Sequence, residues 1–375
     1  MQPLHIIICR EQLLLEIMIA IVMGTRPEII KMSPVVRACQ SKGLDFFILH
    51  TGQHYSYSMD KVFFEELELP EPSHNLEVGS GSHGEQTSKI IAGVEKILLK
   101  ERTSIVLVQG DTNTVLGAAL AASKMGIKIG HVEAGLRSFD RSMPEETNRI
   151  LADHISDYLF VPTQAAKMNL VNEGIRKGVY VTGNTIVDAV KQNLVFAKHK
   201  SKKLEELRLE KSGFILATAH RQENVDDRER LKGIIEGLRS VSRKMSMPVL
   251  LPAHPRTQNR LKEFRIDAAD ISVVDPIGYL DFLQLEANAA LILTDSGGIQ
   301  EEACILGVKC VTLRENTERP ETIQVGSNVL VGTDPKRILA QSNKMVLSKG
   351  KWNNPFGDGN AAKKIIERLN KDGWI

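Results

Sequence analysis

The feature that most constrains this chain is an alternation, run through twice, of short apolar segments with longer amphipathic ones. Ile19 to Met23, Phe46 to Leu49, Ser104 to Val108, Lys128 to Val132 and Tyr158 to Val161 read as strands buried on both faces of a parallel sheet. Between them, Pro34 to Ser41, Glu85 to Lys100, Thr114 to Lys124 and Pro144 to His154 read as helices. The pattern then restarts with strands Phe214 to Thr218, Pro248 to Pro252, Ile271 to Val274, Leu291 to Thr294, Cys310 to Leu313 and Asn328 to Val331. Helices are predicted near 227–245, 256–264, 279–288, 298–306 and 335–346. This alternation predicts an α/β fold of two Rossmann-like, doubly wound domains. Open α/β sheets bind ligands beyond the C-terminal ends of their strands, so motifs at those ends are expected to converge on a cleft between the domains.

With 375 residues the chain exceeds one ordinary core, which agrees with two domains. The expected division is an N-terminal extension over 1–17, a first domain over 18–190, a polar joint over 191–211, a second domain over 212–350 and a terminal helix over 351–375 that packs back on the first domain. Forty-eight basic against 46 acidic side chains leave a formal charge of +2. That balance gives no general attraction to nucleic acid or an anionic membrane, so anion recognition must be local. Cys9, Cys39, Cys304 and Cys310 fit neither a disulfide framework nor a metal-binding spacing, and a reducing cytoplasm is expected. The apolar start is interrupted by Arg10, Glu11 and Glu16 and lacks a small-residue cleavage site, so it does not read as a signal peptide. No uncharged apolar run approaches the roughly 18 residues that cross a bilayer.

The first βα turn, Met23-Gly24-Thr25-Arg26-Pro27-Glu28, lacks the GxGxxG spacing of dinucleotide sites. Gly24 allows a sharp turn, and Arg26 and Lys31 place two cations beside a helix N-terminus; they suit a diphosphate or are solvated surface charges. Asp111, in Gln109-Gly110-Asp111-Thr112, is a strand-end carboxylate or a helix cap. The neighbouring strand ends in His131-Val132-Glu133-Ala134-Gly135, and Pro144-Glu145-Glu146 opens the next helix. Any one of these acids fits helix-start chemistry, because carboxylates complement the macrodipole there. Asp111, Glu133 and Glu145 on successive loops above one sheet form a set that acid–base chemistry requires and capping does not.

In the second half, His220 and Arg221 directly follow a strand, and His254 follows the next. Thr294-Asp295-Ser296-Gly297-Gly298 then turns from strand to helix, presenting backbone N–H groups and a hydroxyl to an anion or forming only a tight capped turn. Glu302, one turn further in, has the two acceptors that paired ribose hydroxyls need. Arg314 and Arg319 return positive charge to the same rim.

Together, GTRPEIIK, QGDT, HVEAGLRS, PEETNR, TAHRQEN, DSGGIQEEA, TERPE and NPFGDG resemble, in order and spacing, the non-hydrolysing UDP-N-acetylglucosamine 2-epimerases of the bacterial and archaeal type. The resemblance runs from about Met18 to the end, so residues 1–17 read as an extension. It implies a glycosyltransferase B-like homodimer that needs no metal or redox cofactor. It also implies reversible conversion of UDP-GlcNAc to UDP-ManNAc, by elimination of UDP through a 2-acetamidoglucal and re-addition, for surface polysaccharide or glycan synthesis. A hydrolysing epimerase that releases ManNAc and UDP, and a glycosyltransferase of the same fold, are the alternatives.

Carried over by motif, Asp111, Glu133 and Glu145 share the proton transfers, with the individual roles open. His220 and Arg221 hold the leaving diphosphate, facing Arg26 and Lys31 across the cleft. Ser296, Gly297, Gly298 and Arg319 bind phosphate, Glu302 binds the ribose, Asp275 to Tyr279 line the uracil, and His254 is a further contact. Gln53 and His54 match part of a second, activating substrate site of bacterial members, but the residues after them and the loop Gly79 to Thr87 depart from that pattern.

Overall fold

In the computed structural model, residues 18–53 and 57–375 are described. The expected extension over 1–17 and His54 lie outside them. β1 (Ile19–Met23), β2 (Phe46–His50), β3 (His74–Asn75), β4 (Ile105–Gln109), β5 (Lys128–Val132), β6 (Tyr158–Val161) and β7 (Val179–Val181) form one parallel sheet in the order β3-β2-β1-β4-β5-β6-β7. A second parallel sheet holds β8 (Ile215–Thr218), β9 (Val249–Pro252), β10 (Ser272–Val274), β11 (Leu291–Thr294), β12 (Cys310–Thr312) and β13 (Asn328–Leu330), in the order β10-β9-β8-β11-β12-β13. The central strands β1, β8 and β11 are buried along their whole length, which is why their sequences are continuous apolar runs rather than alternating ones. Both sheets reverse strand order beside their first strand, between β1 and β4 and between β8 and β11. The crevice at such a reversal is where doubly wound sheets take ligands.

Beyond the elements expected from the sequence, the fold has the short edge strands β3 and β7 and the helices Tyr57–Glu66, Gln164–Asn172 and Thr185–Lys200. The first helix starts earlier than expected: it runs Arg26–Ser41, straight through Pro34. Proline removes the N–H that would bond the carbonyl four residues back. Here the Ser33 hydroxyl donates to that Ile30 carbonyl at 2.8 Å and satisfies it. At the same helix start the Glu28 carboxylate reaches back to accept the Thr25 N–H at 2.9 Å, half of a capping box. Gly24 is needed for a different reason from a sharp turn. A β-carbon there would lie 2.1 Å from the Thr51 hydroxyl and 2.2 Å from that of Thr114.

The segment 191–211 is not a joint throughout, because residues 191–200 complete the helix Thr185–Lys200. That helix packs on Arg26–Ser41 of the first domain and on Tyr279–Asn288 and Gly297–Leu306 of the second, so a rigid element connects the two. The terminal helix Ala361–Lys371 lies against Arg26–Ser41 and Thr185–Lys200. Its first N–H groups, on Ala361 and Ala362, donate to the Asp188 carboxylate at 3.1 and 3.0 Å. Between the domains, the Glu66 carboxylate accepts the Leu280 N–H at 2.8 Å, at the start of Tyr279–Asn288. Among the described residues, no helix is long and apolar enough to cross a membrane.

Candidate active site

A cavity of about 470 Å³ opens between the C-terminal ends of the two sheets. Arg26, Lys31 and Ile186 line it from the first domain side, and His220, His254, Ser296, Gly298 and Glu302 from the second. The second-domain wall is built on the helix Gly297–Leu306, which starts at the switch point beside β11. Ser296 is its N-cap residue, yet the serine side chain makes no capping bond, and the first-turn amides have no partner within the helix. A β-carbon on Gly297 or Gly298 would meet nothing closer than 3.7 Å, and neither residue has a positive φ. Nothing in the protein therefore demands two glycines. The open space in front of these glycines leaves the first-turn N–H groups of the helix accessible.

Beside this seat, His220 Nδ1 lies 2.8 Å from a carboxylate oxygen of Asp295. Asp295 is fully buried and also accepts the backbone N–H of His220 and of Arg221 and the Asn224 amide. Burial opposes its charge, but His220 and these donors hold it below the usual carboxylate range. The imidazole, about half exposed, is thus turned so that Nε2 is the nitrogen left for a ligand. In the sequence Asp295 is only the strand-end acid before Ser296-Gly297-Gly298; the pairing of β8 with β11 puts it under His220.

On the opposite wall, Lys31 Nζ donates to both oxygens of Glu133 at 2.9 and 2.6 Å, and the Gln109 amide donates to one of them at 2.8 Å. Arg319, from the second domain, stands 3.7 Å from the same carboxylate. Burial pushes the Glu133 carboxyl up, but Lys31 and Arg319 outweigh it and hold the group below the ordinary carboxylate range. Glu133 has φ +69°, a left-handed conformation that costs a residue with a β-carbon about 1–3 kcal/mol. Such strain at a strand end persists where the side chain must point one way.

The other two carboxylates are held differently. Asp111 is not a helix cap, since Thr112 takes that role at the helix Asn113–Lys124. The Asp111 side chain pairs with Arg149, while its carbonyl accepts the Asn148 amide at 2.9 Å. Beneath it, His131 contacts two acceptors, the Asp153 carboxylate at 2.7 Å and the Gly110 carbonyl at 2.8 Å. Both acceptors favour the imidazolium, and although burial opposes its charge, Asp153 raises the ring's pKa above the usual histidine range. Glu145 stands one turn before Arg149, the partner of Asp111, on the helix Pro144–Ile155 and is half-buried.

Three expectations change. Asp275 does not line the cleft: it accepts from Gln258 at 3.1 Å in a separate depression, whereas Pro276, Ile277 and Tyr279 do line it. Arg314 adds no charge to the rim, because it is buried against Glu318 at 2.8 and 2.9 Å. Gln53 is occupied at its side-chain oxygen by Thr114 at 2.9 Å. Glu302 is buried at the cavity wall, with the Tyr279 phenol donating to it at 3.2 Å. Burial pushes its carboxyl up to about 7, opposed by that phenol and reinforced by Glu301. Arg221 lies near Glu318 at 3.5 Å. Among the described residues, no group of three or more His, Cys, Asp or Glu side chains is arranged to hold a metal ion.

Two doubly wound sheets, facing each other at their switch points across one cleft, place the chain among proteins of glycosyltransferase B-like architecture. The comparison with known proteins narrows the class. The UDP-N-acetylglucosamine 2-epimerase family model matches residues 37–370, and the chain belongs to that family of epimerases. It is 55% identical to the UDP-N-acetylglucosamine 2-epimerase of Methanococcus maripaludis, over 93% of this chain and 97% of that one. The crystal structure of the Methanocaldococcus jannaschii UDP-GlcNAc 2-epimerase in complex with UDP-GlcNAc and UDP superposes with a TM-score of 0.85 at 52% identity, covering 95% of this chain and all of that one. A Pseudomonas aeruginosa relative, 41% identical over 93% of this chain and 98% of its own, is a UDP-2,3-diacetamido-2,3-dideoxy-D-glucuronate 2-epimerase.

Proposed function

We propose that this chain interconverts UDP-GlcNAc and UDP-ManNAc by inverting C2 of the sugar. The observation that carries the reading is a cleft lined by an open helix start and a buried-carboxylate-held histidine on one side and by Lys31, the partner of Glu133, on the other. On one side, the open helix start at Ser296-Gly297-Gly298 and the Asp295-oriented His220 suit a diphosphate. Behind Lys31 on the other, and outside the cavity lining itself, Glu133 with Asp111 and Glu145 on the neighbouring loops suits proton transfer at a sugar carbon once substrate draws them in. Glu302 takes the ribose hydroxyls, and Pro276, Ile277 and Tyr279 cover the base.

In the forward direction a carboxylate removes the C2 proton, the C1–O bond breaks as UDP leaves, and a C1=C2 double bond forms. His220, Arg26, Lys31 and Arg319 stabilise the charge that develops on the departing diphosphate. UDP then re-adds at C1 while a proton is delivered to the opposite face of C2. Atoms and charge balance without an oxidant. The glucal and UDP must stay together between the two steps, which calls for a closed cleft.

Incubation of UDP-GlcNAc with the protein in heavy water tests this reading: UDP-ManNAc carrying deuterium at C2 is expected. Product without solvent isotope, or free ManNAc in place of UDP-ManNAc, rejects it. The same assay with UDP-2,3-diacetamido-2,3-dideoxyglucuronate separates the two sugar classes found among relatives, and faster turnover of the glucuronate reassigns the substrate.

The reading also includes a homodimer in the cytoplasm. Leu99 and Leu151 are exposed apolar side chains on helices that flank Asn113–Lys124, and they supply apolar area for such a contact. Sedimentation equilibrium is expected to return the mass of two chains, and a monomer mass at micromolar concentration rejects the assembly.

A further inference from the structure

Glu301 lies outside the proposed chemistry, yet it closes a ring of buried charge around Lys31, the member of that ring that lines the cleft. Its carboxylate is 1% exposed. One oxygen stands 2.8 Å from Arg319 Nε and accepts the Asn184 amide at 3.3 Å; the other is 3.7 Å from Lys31 Nζ. Lys31 in turn grips Glu133 at 2.6 Å, and Arg319 approaches Glu133 at 3.7 Å. The four groups alternate in sign around the ring, Glu133, Lys31, Glu301, Arg319. Each domain supplies one anion and one cation, and the ring sums to zero.

A buried ring that is already neutral resists a further anion, because each uncompensated charge out of water carries a large desolvation cost. Lys31 nevertheless lines the cavity in which the reading above places a diphosphate. For the diphosphate to share these cations, a carboxylate must lose its hold on them. Glu133 is the one that can let go. Gln109 still satisfies it at 2.8 Å, closer than the 3.3 Å from the Asn184 amide to Glu301, and Glu133 directly follows β5, whose last residue Val132 pairs with Gln109, two residues before Asp111. Glu301 sits behind both cations on the helix whose first turn is the anion seat.

Resting on that reading, we propose that Glu301 is a positioning residue: it keeps Lys31, and Arg319 behind it, in place while they exchange Glu133 for the diphosphate of the arriving nucleotide sugar. Glu133 is thereby clamped in the empty enzyme and released to take the C2 proton only when substrate is bound. The exchange moves no atom between molecules; the proton that Glu133 later accepts comes from C2.

Glu301→Gln keeps the shape and removes the charge. Lys31 and Arg319 then have enough charge to hold Glu133 and the diphosphate together. The expected result, with unfolding temperature near wild type, is UDP binding several-fold tighter by calorimetry and kcat at least tenfold lower. Glu301→Asp, which keeps the charge, is expected to return UDP affinity towards wild type and restore part of kcat. UDP binding that is unchanged or weaker in Glu301→Gln, or a kcat within twofold of wild type, overturns the proposal. Failure of the underlying reading looks different: wild-type protein then binds UDP but epimerises no UDP-sugar at all.

Discussion

Replacing Glu133 by glutamine is expected to lower kcat by about 10²–10⁴-fold, the range for loss of a positioned general acid or base. Glutamine has nearly the same shape and keeps an oxygen for Lys31, which donates to both carboxylate oxygens in the native protein. Only proton affinity and one negative charge are lost. The charge argument adds a second signature: with one anion fewer beside Lys31 and Arg319, UDP is expected to bind as tightly as to wild type or more so. Exchange of deuterium into C2 must fall in parallel with kcat. A variant with normal kcat and raised KM would make Glu133 a binding group, because loss of uniform binding moves KM alone. Asp111→Asn and Glu145→Gln complete the series, and survival of turnover in all three removes the carboxylates from the mechanism.

Gly298→Val is expected to abolish nucleotide binding without harming the fold. A β-carbon there finds only the Ser296 hydroxyl, 4.0 Å away, and the backbone is not left-handed, so the protein itself leaves room for a β-carbon. Valine also removes the conformational freedom of a glycine in a helix, which favours folding slightly. The branched side chain, however, stands in front of the N–H groups that start the helix. A hydrogen bond to a charged group is worth about 1.5–3 kcal/mol, and displacement of the diphosphate breaks more than one. A loss of UDP affinity of at least about 100-fold follows, since each 1.4 kcal/mol is tenfold. Calorimetry checks the affinity and thermal unfolding the fold. A Kd within about threefold of wild type would show that the diphosphate sits elsewhere.

The two results probe the buried carboxylate held by Lys31 and the open helix start, and their legibility in the sequence differs. Ser296-Gly297-Gly298 is contiguous, and its meaning follows from local rules: a buried strand, a turn and a helix start leave free amides. Its neighbour Glu302 was equally readable at one helical turn's distance. Asp275 failed because adjacency along a loop does not say which side of the loop faces the cleft; Pro276 and Ile277 turn inward and Asp275 outward. Arg314 failed because a positive charge after a strand cannot be told from one half of a buried pair until Glu318 is seen beside it.

The sequence by itself determined the doubly wound architecture, most strand limits to within a residue, and the loops that carry the carboxylates, the histidine and the anion seat. These depend on periodicity and on residues a few positions apart, which a chain carries in linear order. Only the tertiary structure decided who faces whom. Parallel pairing of β8 with β11 sets Asp295 under His220, although 75 residues separate the histidine from that carboxylate. The contact of Lys31 with Glu133 spans 102 residues, and Glu301 and Arg319 complete the ring from the other domain. Whether a charge is paired, and whether a carboxylate is free to take a proton, is a property of distance and burial in space, and no local pattern encodes it.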